Sequence, residues 1–210
     1  MLLLAFDTAT PAITVAVHDG SSVVGEAGGE GATAHGEQLA PAITAALRQA
    51  GAVPADLTDV AVGVGPGPYT GLRVGVVTAL TLGATLGLRT HGVCTLDVLA
   101  VDAAEAFDGE FLVATDARRR EVYWARYGPD ARRLDGPAVD TPAAVVERFG
   151  DLPVVGRGAE VHAAVLGGSR GPLDPTGAAL ARAVVDRLVE VLPLEPLYLR
   201  RPDAVPLDQR

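Results

Sequence analysis

The sequence predicts a layered α/β protein of two lobes, and three observations lead there. First, 49% of the 210 residues are hydrophobic but only 4% are aromatic. The core must therefore be assembled from closely packed Ala, Val, Leu and Gly, which suits helices laid on sheets better than an aromatic-rich β sandwich. Second, the chain opens strand, turn, strand, turn, strand, and a further strand then runs through a glycine loop into a long apolar helix over 59–86. Third, the composition shifts near residue 105 from glycine-rich to acidic and arginine-rich, which divides the chain into lobes over 1–105 and 106–195 and a tail over 196–210.

Taken in order, an apolar run ends at Phe6, a polar break spans Asp7 to Pro11, and a second run covers Ile13 to Val17 before Asp19-Gly20. Asp-Gly between strand-like runs marks a hairpin, because the central positions of the tight turn need positive φ. A glycine-rich link from Gly28 to Gly36 leads into a helix with Leu39, Ile43, Ala46 and Leu47 on one face, which Gly51 ends. Asp59 to Val64 is a short strand that enters GPGPYTG, and the apolar helix then runs from about Thr70 to Leu86. THGVCTL leads to a short helix over 97–106, FLVATD and EVYWARY form a second hairpin, and helices are expected over 142–149 and 176–192. The end of the chain carries four prolines from Pro193 onward, and its last ten or so residues are expected to be poorly ordered.

The formal charge of −9 makes the average surface repel phosphate backbones, so any service to RNA requires another protein's grip. The runs Arg118-Arg119-Arg120, Arg132-Arg133 and Arg200-Arg201 are local exceptions that read first as solvated faces. The chain has no lysine, which removes a Walker A lysine, a Schiff base and a Ser-Lys pair together, and no asparagine, which removes N-glycosylation. Cys94 stands alone and reads as a buried structural thiol in a reducing compartment. The opening apolar run ends at Asp7 without a charged leader before it, so a cytoplasmic location is expected.

Two constellations could carry chemistry. In DTAT, Asp7 to Thr10, an acidic residue and hydroxyls sit between two strands, where Asp7 and Thr8 could hold a metal-bound phosphate. The arrangement resembles the first phosphate loop of the actin, Hsc70 and sugar-kinase superfamily, although Asp and Thr are also ordinary turn residues. In GVGPGPYTGLR, Pro66 and Pro68 remove backbone donors that a phosphate loop needs, and no Asp or Glu occurs from Val60 to Leu96 to meet a ribose. A dinucleotide loop is therefore excluded.

The helix after this loop is uncharged from Val74 to Leu88 and apolar all round, whereas a helix covered by one lobe needs a single apolar face. It is shorter than the roughly 20 residues of a membrane span. The excess is assigned to a partner interface formed by Tyr69, Leu72, Arg73, Val76, Leu80 and Gly83, with the pairs Gly71/Gly75 and Gly83/Gly87 leaving flat patches for another helix. Complete burial inside the domain is the alternative. His18, His35, His91 and His162 form no local ligand pair, and Ser21, Ser22 and Ser169 lie in no nucleophile elbow. Asp116 and Arg118 are placed to pair across the second hairpin's turn.

FDTATPAITVAV, AHGEQLAP, GVGPGPYTGLRVG, ATDARRREVYWARY and YLRRPDA, in this order over most of the chain, resemble the TsaB (YeaZ) family. The family usually reads Ser-Phe where this chain has Pro68-Tyr69. The resemblance implies a two-lobed actin-like ATPase fold with a degenerate nucleotide site, no cofactor and no reaction of its own. It also implies a TsaD-type catalytic subunit and a TsaE-type ATPase as partners, a homodimer when alone, and contact with tRNA only through that complex. The complex transfers threonylcarbamoyl to the tRNA adenosine beside the anticodon. An active phosphotransferase of the same fold, or a metal-dependent glycoprotease, stand as alternatives.

Overall fold

The computed structural model describes residues 1–30 and 35–200, so the end of the tail and part of the glycine-rich link lie outside the described residues. The chain begins with β1 (Leu3–Asp7), β2 (Ala12–His18), β3 (Val23–Glu30) and α1 (His35–Gln49). It continues through β4 (Asp59–Gly65), α2 (Tyr69–Leu86), β5 (Arg89–Cys94) and α3 (Thr95–Ala103). The five strands form one sheet in the order β3-β2-β1-β4-β5. β1 lies at its centre, antiparallel to β2 and parallel to β4, with Phe6 opposite Val15 on one side and Val62 on the other.

Both β1 and β4 are buried at every residue, as strands covered on two faces must be. Alternation sorts their side chains. Leu4, Phe6, Val60 and Val62 join Leu39, Ala46, Val76 and Ala79 under α1 and α2. Leu3, Ala5 and Ala61 point the other way, into a core shared with α3 and the second sheet.

That second sheet consists of β6 (Phe111–Asp116), β7 (Val122–Tyr127), β8 (Arg133–Asp140) and the short β9 (Val154–Val155), in the order β8-β7-β6-β9. Phe111, Val113, Ala125 and Tyr127 face the shared core, whereas Leu112, Val122 and Trp124 pack on the outer side with Val145 and Leu166. The remaining helices are α4 (Pro142–Phe149), α5 (Arg157–Val161), α6 (Ala163–Leu166) and α7 (Gly177–Val185). Thr141 and Thr176 cap α4 and α7 by accepting from the amides of Ala144 and Ala179.

α7 returns to the first sheet: Gly177 donates its amide to Thr14 Oγ1, and a Cβ at Gly177 would stand 2.6 Å from the Val15 carbonyl carbon. The helix expected over 176–192 stops at Val185, seven residues early. Arg187 adopts φ 56°, Leu188 N–H closes on Ala183 O, and the chain then returns along the first sheet, where Leu192 bridges Gly92 and Leu197 N–H bonds Val64 O. The apolar residues read as a helical continuation are instead the strap that seals the edge of β5.

Candidate functional site

The turn after β1 is pressed against the end of β4, the loop after it and the start of α2. A Cβ added at Gly63 would lie 1.7 Å from Asp7 Oδ2, at Gly67 2.2 Å from Ala9 O, and at Gly71 2.2 Å from Thr8 O. Three glycines at intervals of four, in β4, the loop and α2, thus form the cradle in which the DTAT turn is seated. Thr8 Oγ1 donates to Gly71 O at 2.8 Å, and the buried His35 ring donates through Nε2 to Thr10 O at 2.8 Å. His35 is therefore a brace for the turn.

Asp7 is fully buried. Its Oδ1 accepts the Ala9 amide at 2.6 Å and its Oδ2 accepts the Thr95 hydroxyl at 2.8 Å, while Thr95 Oγ1 in turn accepts Gly65 N–H at 3.2 Å. Burial outweighs these hydrogen bonds and pushes the carboxyl up to about 6 from 3.8, with Asp174 adding repulsion. A proton held by the folded chain and released by the unfolded one between those values makes stability fall as pH rises from about 4 to about 6. Replacing Asp7 by Asn removes this dependence. Relative to wild type, the Asp7→Asn variant should gain about 2 kcal/mol between pH 4.5 and 7.5, read from urea unfolding curves; parallel profiles would show that Asp7 is ionised throughout.

The crevice between the lobes is lined by Ala9, Thr10, Pro11 and Pro68 on one side and Thr115, Asp116, Arg118, Arg157 and Asp174 on the other. Its cavity volume is about 10 Å³, room for about one water, whereas small-molecule sites occupy roughly 300–1,000 Å³. Arg157 is held in its wall by an ion pair with Asp174. Pro68 starts α2 without a side-chain cap. Cys94 is buried, and desolvation pushes its thiol up to about 12, far from the reactive range. Among the described residues, no three His, Cys, Asp or Glu side chains come together as metal ligands.

α2 divides the six residues expected at a partner interface. Leu72, Val76 and Gly83 are buried in their own lobe, so they are corrected to core positions. Gly75 meets Thr8 Oγ1 and Gly83 meets Thr90, which leaves neither flat patch open, and Gly87 is the left-handed cap at φ 67°. Tyr69, Arg73 and Leu80 face outward, joined by Val77 at 58% exposure. By length and composition alone α2 could cross a membrane, but its inner face is packed on the sheet.

Arg73 finds aromatic neighbours. Its guanidinium lies 3.8 Å from the Tyr69 ring centroid and bonds the Tyr69 hydroxyl, while Nε points to Tyr198 OH at 3.4 Å. Tyr69 and Tyr198 stack at 5.1 Å. This cluster and the adjacent Val77 and Leu80 give α2 an outward patch anchored by Tyr and Arg. Sequence spacing missed Tyr198, which comes from 125 residues away, and missed Val77.

Comparison with known proteins places this geometry. The family model described as TsaD, tRNA N6-adenosine threonylcarbamoyltransferase, matches residues 26–193. An uncharacterized Mycobacterium tuberculosis protein is 47% identical over 98% of this chain and 94% of its own length. A Mycobacterium leprae relative, 46% identical, is longer, and the chain spans 56% of it. The Escherichia coli tRNA threonylcarbamoyladenosine biosynthesis protein TsaB is 34% identical over 95% of both chains. The solved structure of YeaZ from Pseudomonas aeruginosa superposes with a TM-score of 0.78 at 26% identity, over 94% of this chain and 99% of that one. The two-sheet α/β fold is the fold of that YeaZ structure. With 34% identity to a named TsaB over nearly the whole of both chains and a YeaZ-like structure over 94% of this one, the chain belongs to the TsaB (YeaZ) family.

Proposed function

We propose that this chain is a non-catalytic subunit of the complex that transfers threonylcarbamoyl to the tRNA adenosine beside the anticodon. One observation carries the reading: the Asp7 turn that would hold a metal-bound phosphate is instead buried, with its carboxylate given to Ala9 and Thr95 and its backbone pressed onto Gly67 and Gly71. A phosphotransferase of this fold requires that carboxylate to face the crevice. The chain acts by presenting the outward patch of α2 to a TsaD-type catalytic subunit, with a TsaE-type ATPase completing a cytoplasmic assembly, and it pairs with itself through the same patch when alone. The family model's transferase description belongs to the catalytic relative, whose place this chain supports.

The test is reconstitution. The purified chain with tRNA, threonine, bicarbonate and ATP should yield no modified adenosine, and addition of the TsaD-type and TsaE-type subunits and the threonylcarbamoyl-adenylate synthase should restore it, measured by mass spectrometry of digested tRNA. The Asp7→Asn variant should support the complex as well as wild type. Modification or ATP turnover by the isolated chain that disappears in Asp7→Asn would establish the phosphotransferase reading instead.

A further inference from the structure

We infer that the cavity between the β7–β8 turn and the strap after α7 binds a small phosphate, as the free ion or as the end group of a small phosphomonoester, held by Arg132, Arg133 and Arg187. The inference goes beyond the function proposed above and does not rest on it. Asp97, Ala131, the three arginines and Glu190 line the cavity, whose volume is about 230 Å³. None of its lining residues belongs to the crevice between the lobes or to the outward patch of α2. At about 30 Å³ per water, the cavity takes the place of roughly seven waters. Most organic ligands need roughly 300–1,000 Å³, whereas an oxyanion with part of its hydration fits.

The fold leaves these guanidiniums incompletely used. Arg133, which reads in sequence as part of a solvated basic run, is half-buried, and its Nη1 is buried without a hydrogen-bond partner. Asp97 Oδ1 stands 3.5 Å from that nitrogen and already accepts the Tyr127 hydroxyl at 2.7 Å. Burial raises the Asp97 carboxyl above its ordinary value, which weakens its hold on Arg133 further. Glu190 faces Arg133 Nη2 at 3.6 Å from an exposed position, where a doubly charged oxyanion can displace it. Arg132 reaches the exposed Asp130 only at 3.9 Å, and the Arg187 side chain makes no hydrogen bond or ion pair among the described residues. Three guanidiniums thus face two carboxylates, and a phosphate offers the forked acceptors that guanidiniums match. The backbone points the same way. Arg187 ends α7 at φ 56°, with Leu188 N–H on Ala183 O and its own N–H on Val184 O. This is the left-handed position of a Schellman motif, where glycine is usual and an arginine with a free side chain does nothing for the helix. Ala131, beside Arg132, takes φ 58° in a hairpin turn that also favours glycine there. Two left-handed residues with β-carbons at one cavity are strain of the kind that collects at ligand sites.

Calorimetric titration of the full chain with inorganic phosphate, at fixed ionic strength in a buffer free of other oxyanions, should show one site with a Kd of about 1 mM or tighter. Glycerol phosphate is the second arm: tighter binding than inorganic phosphate assigns the site to a phosphomonoester, and equal or weaker binding assigns it to the free ion. Arg187→Gly should weaken phosphate binding about tenfold. It should melt no lower than wild type, because glycine suits the backbone that arginine strains. Glu190→Gln should tighten binding about threefold by removing a competing carboxylate. Affinity lost at one residue and gained at the other, with the melting temperature held, is the signature of a ligand site and not of a structural role. No phosphate binding, binding that Arg187→Gly leaves unchanged, or binding that Glu190→Gln weakens would each overturn the inference. If Arg187→Gly is not recovered folded, Arg187→Gln carries the same tenfold test. The chain is titrated alone, so a failed reconstitution of tRNA modification would bear on the proposed function and leave this result standing.

Discussion

Replacement of Gly71 by alanine is expected to lower the melting temperature by roughly 6–12 °C, corresponding to about 3 kcal/mol for a chain of this size. The new Cβ would stand 2.2 Å from Thr8 O, a backbone atom that cannot swing aside, and the Thr8 hydroxyl is simultaneously held by Gly71 O. Alanine's better helix propensity returns at most about 1 kcal/mol, so the clash decides the sign. Gly36 supplies the control: it also lies in a helix, yet nothing stands within 4 Å of its would-be Cβ. Gly36→Ala should leave the melting temperature unchanged or raise it slightly. Differential scanning calorimetry of the two variants tests whether the glycines after β4 are a cradle or merely a flexible loop. Equal melting temperatures would dissolve the cradle, and with it the account of why the Asp7 turn is closed.

Much of the first lobe was legible because its signals are local. The Asp19-Gly20 turn, the apolar runs of β1 and β4 and the long apolar α2 each speak through neighbours within one element. β5 and β8 escaped for the converse reason. RTHGVC is half polar and short, and RLDGPAVD carries a glycine and a proline that disqualify a central strand but suit the sheet edge where β8 lies.

The site was half legible. Asp7 and the glycine loop were both singled out, but a helical pattern shows which residues share a face and not what covers it. Gly71, Gly75 and Gly83 therefore looked available for a partner helix when they are filled by Thr8 and Thr90. Arg73 is legible only as a member of the expected interface, because its neighbour Tyr198 has no sequence relation to it beyond the fold that brings the strap after α7 back past β4.

The corrected geometry sharpens the partner test. Leu80→Arg is expected to weaken binding to the TsaD-type subunit at least about 100-fold, about 2.8 kcal/mol, while leaving the isolated chain folded. Leu80 is 48% exposed and sits with Val77 on the outward stripe that begins at the Tyr69–Arg73–Tyr198 stack. An arginine there can extend into water in the free chain, at little cost to folding. In a complex it would have to be desolvated at the centre of an apolar contact, and that penalty falls on binding alone. Leu72→Ala supplies the contrast. Leu72 is fully buried on the inner face of α2, so its truncation should cost about 2–5 kcal/mol of folding stability, with no loss of affinity in whatever fraction remains folded. Titration calorimetry against the TsaD-type subunit, with size-exclusion chromatography for self-association, separates the cases. If Leu80→Arg binds its partner and itself as wild type does, the outward face of α2 is not the interface, and the Tyr69–Arg73–Tyr198 cluster only fastens the carboxy-terminal strap to the first lobe.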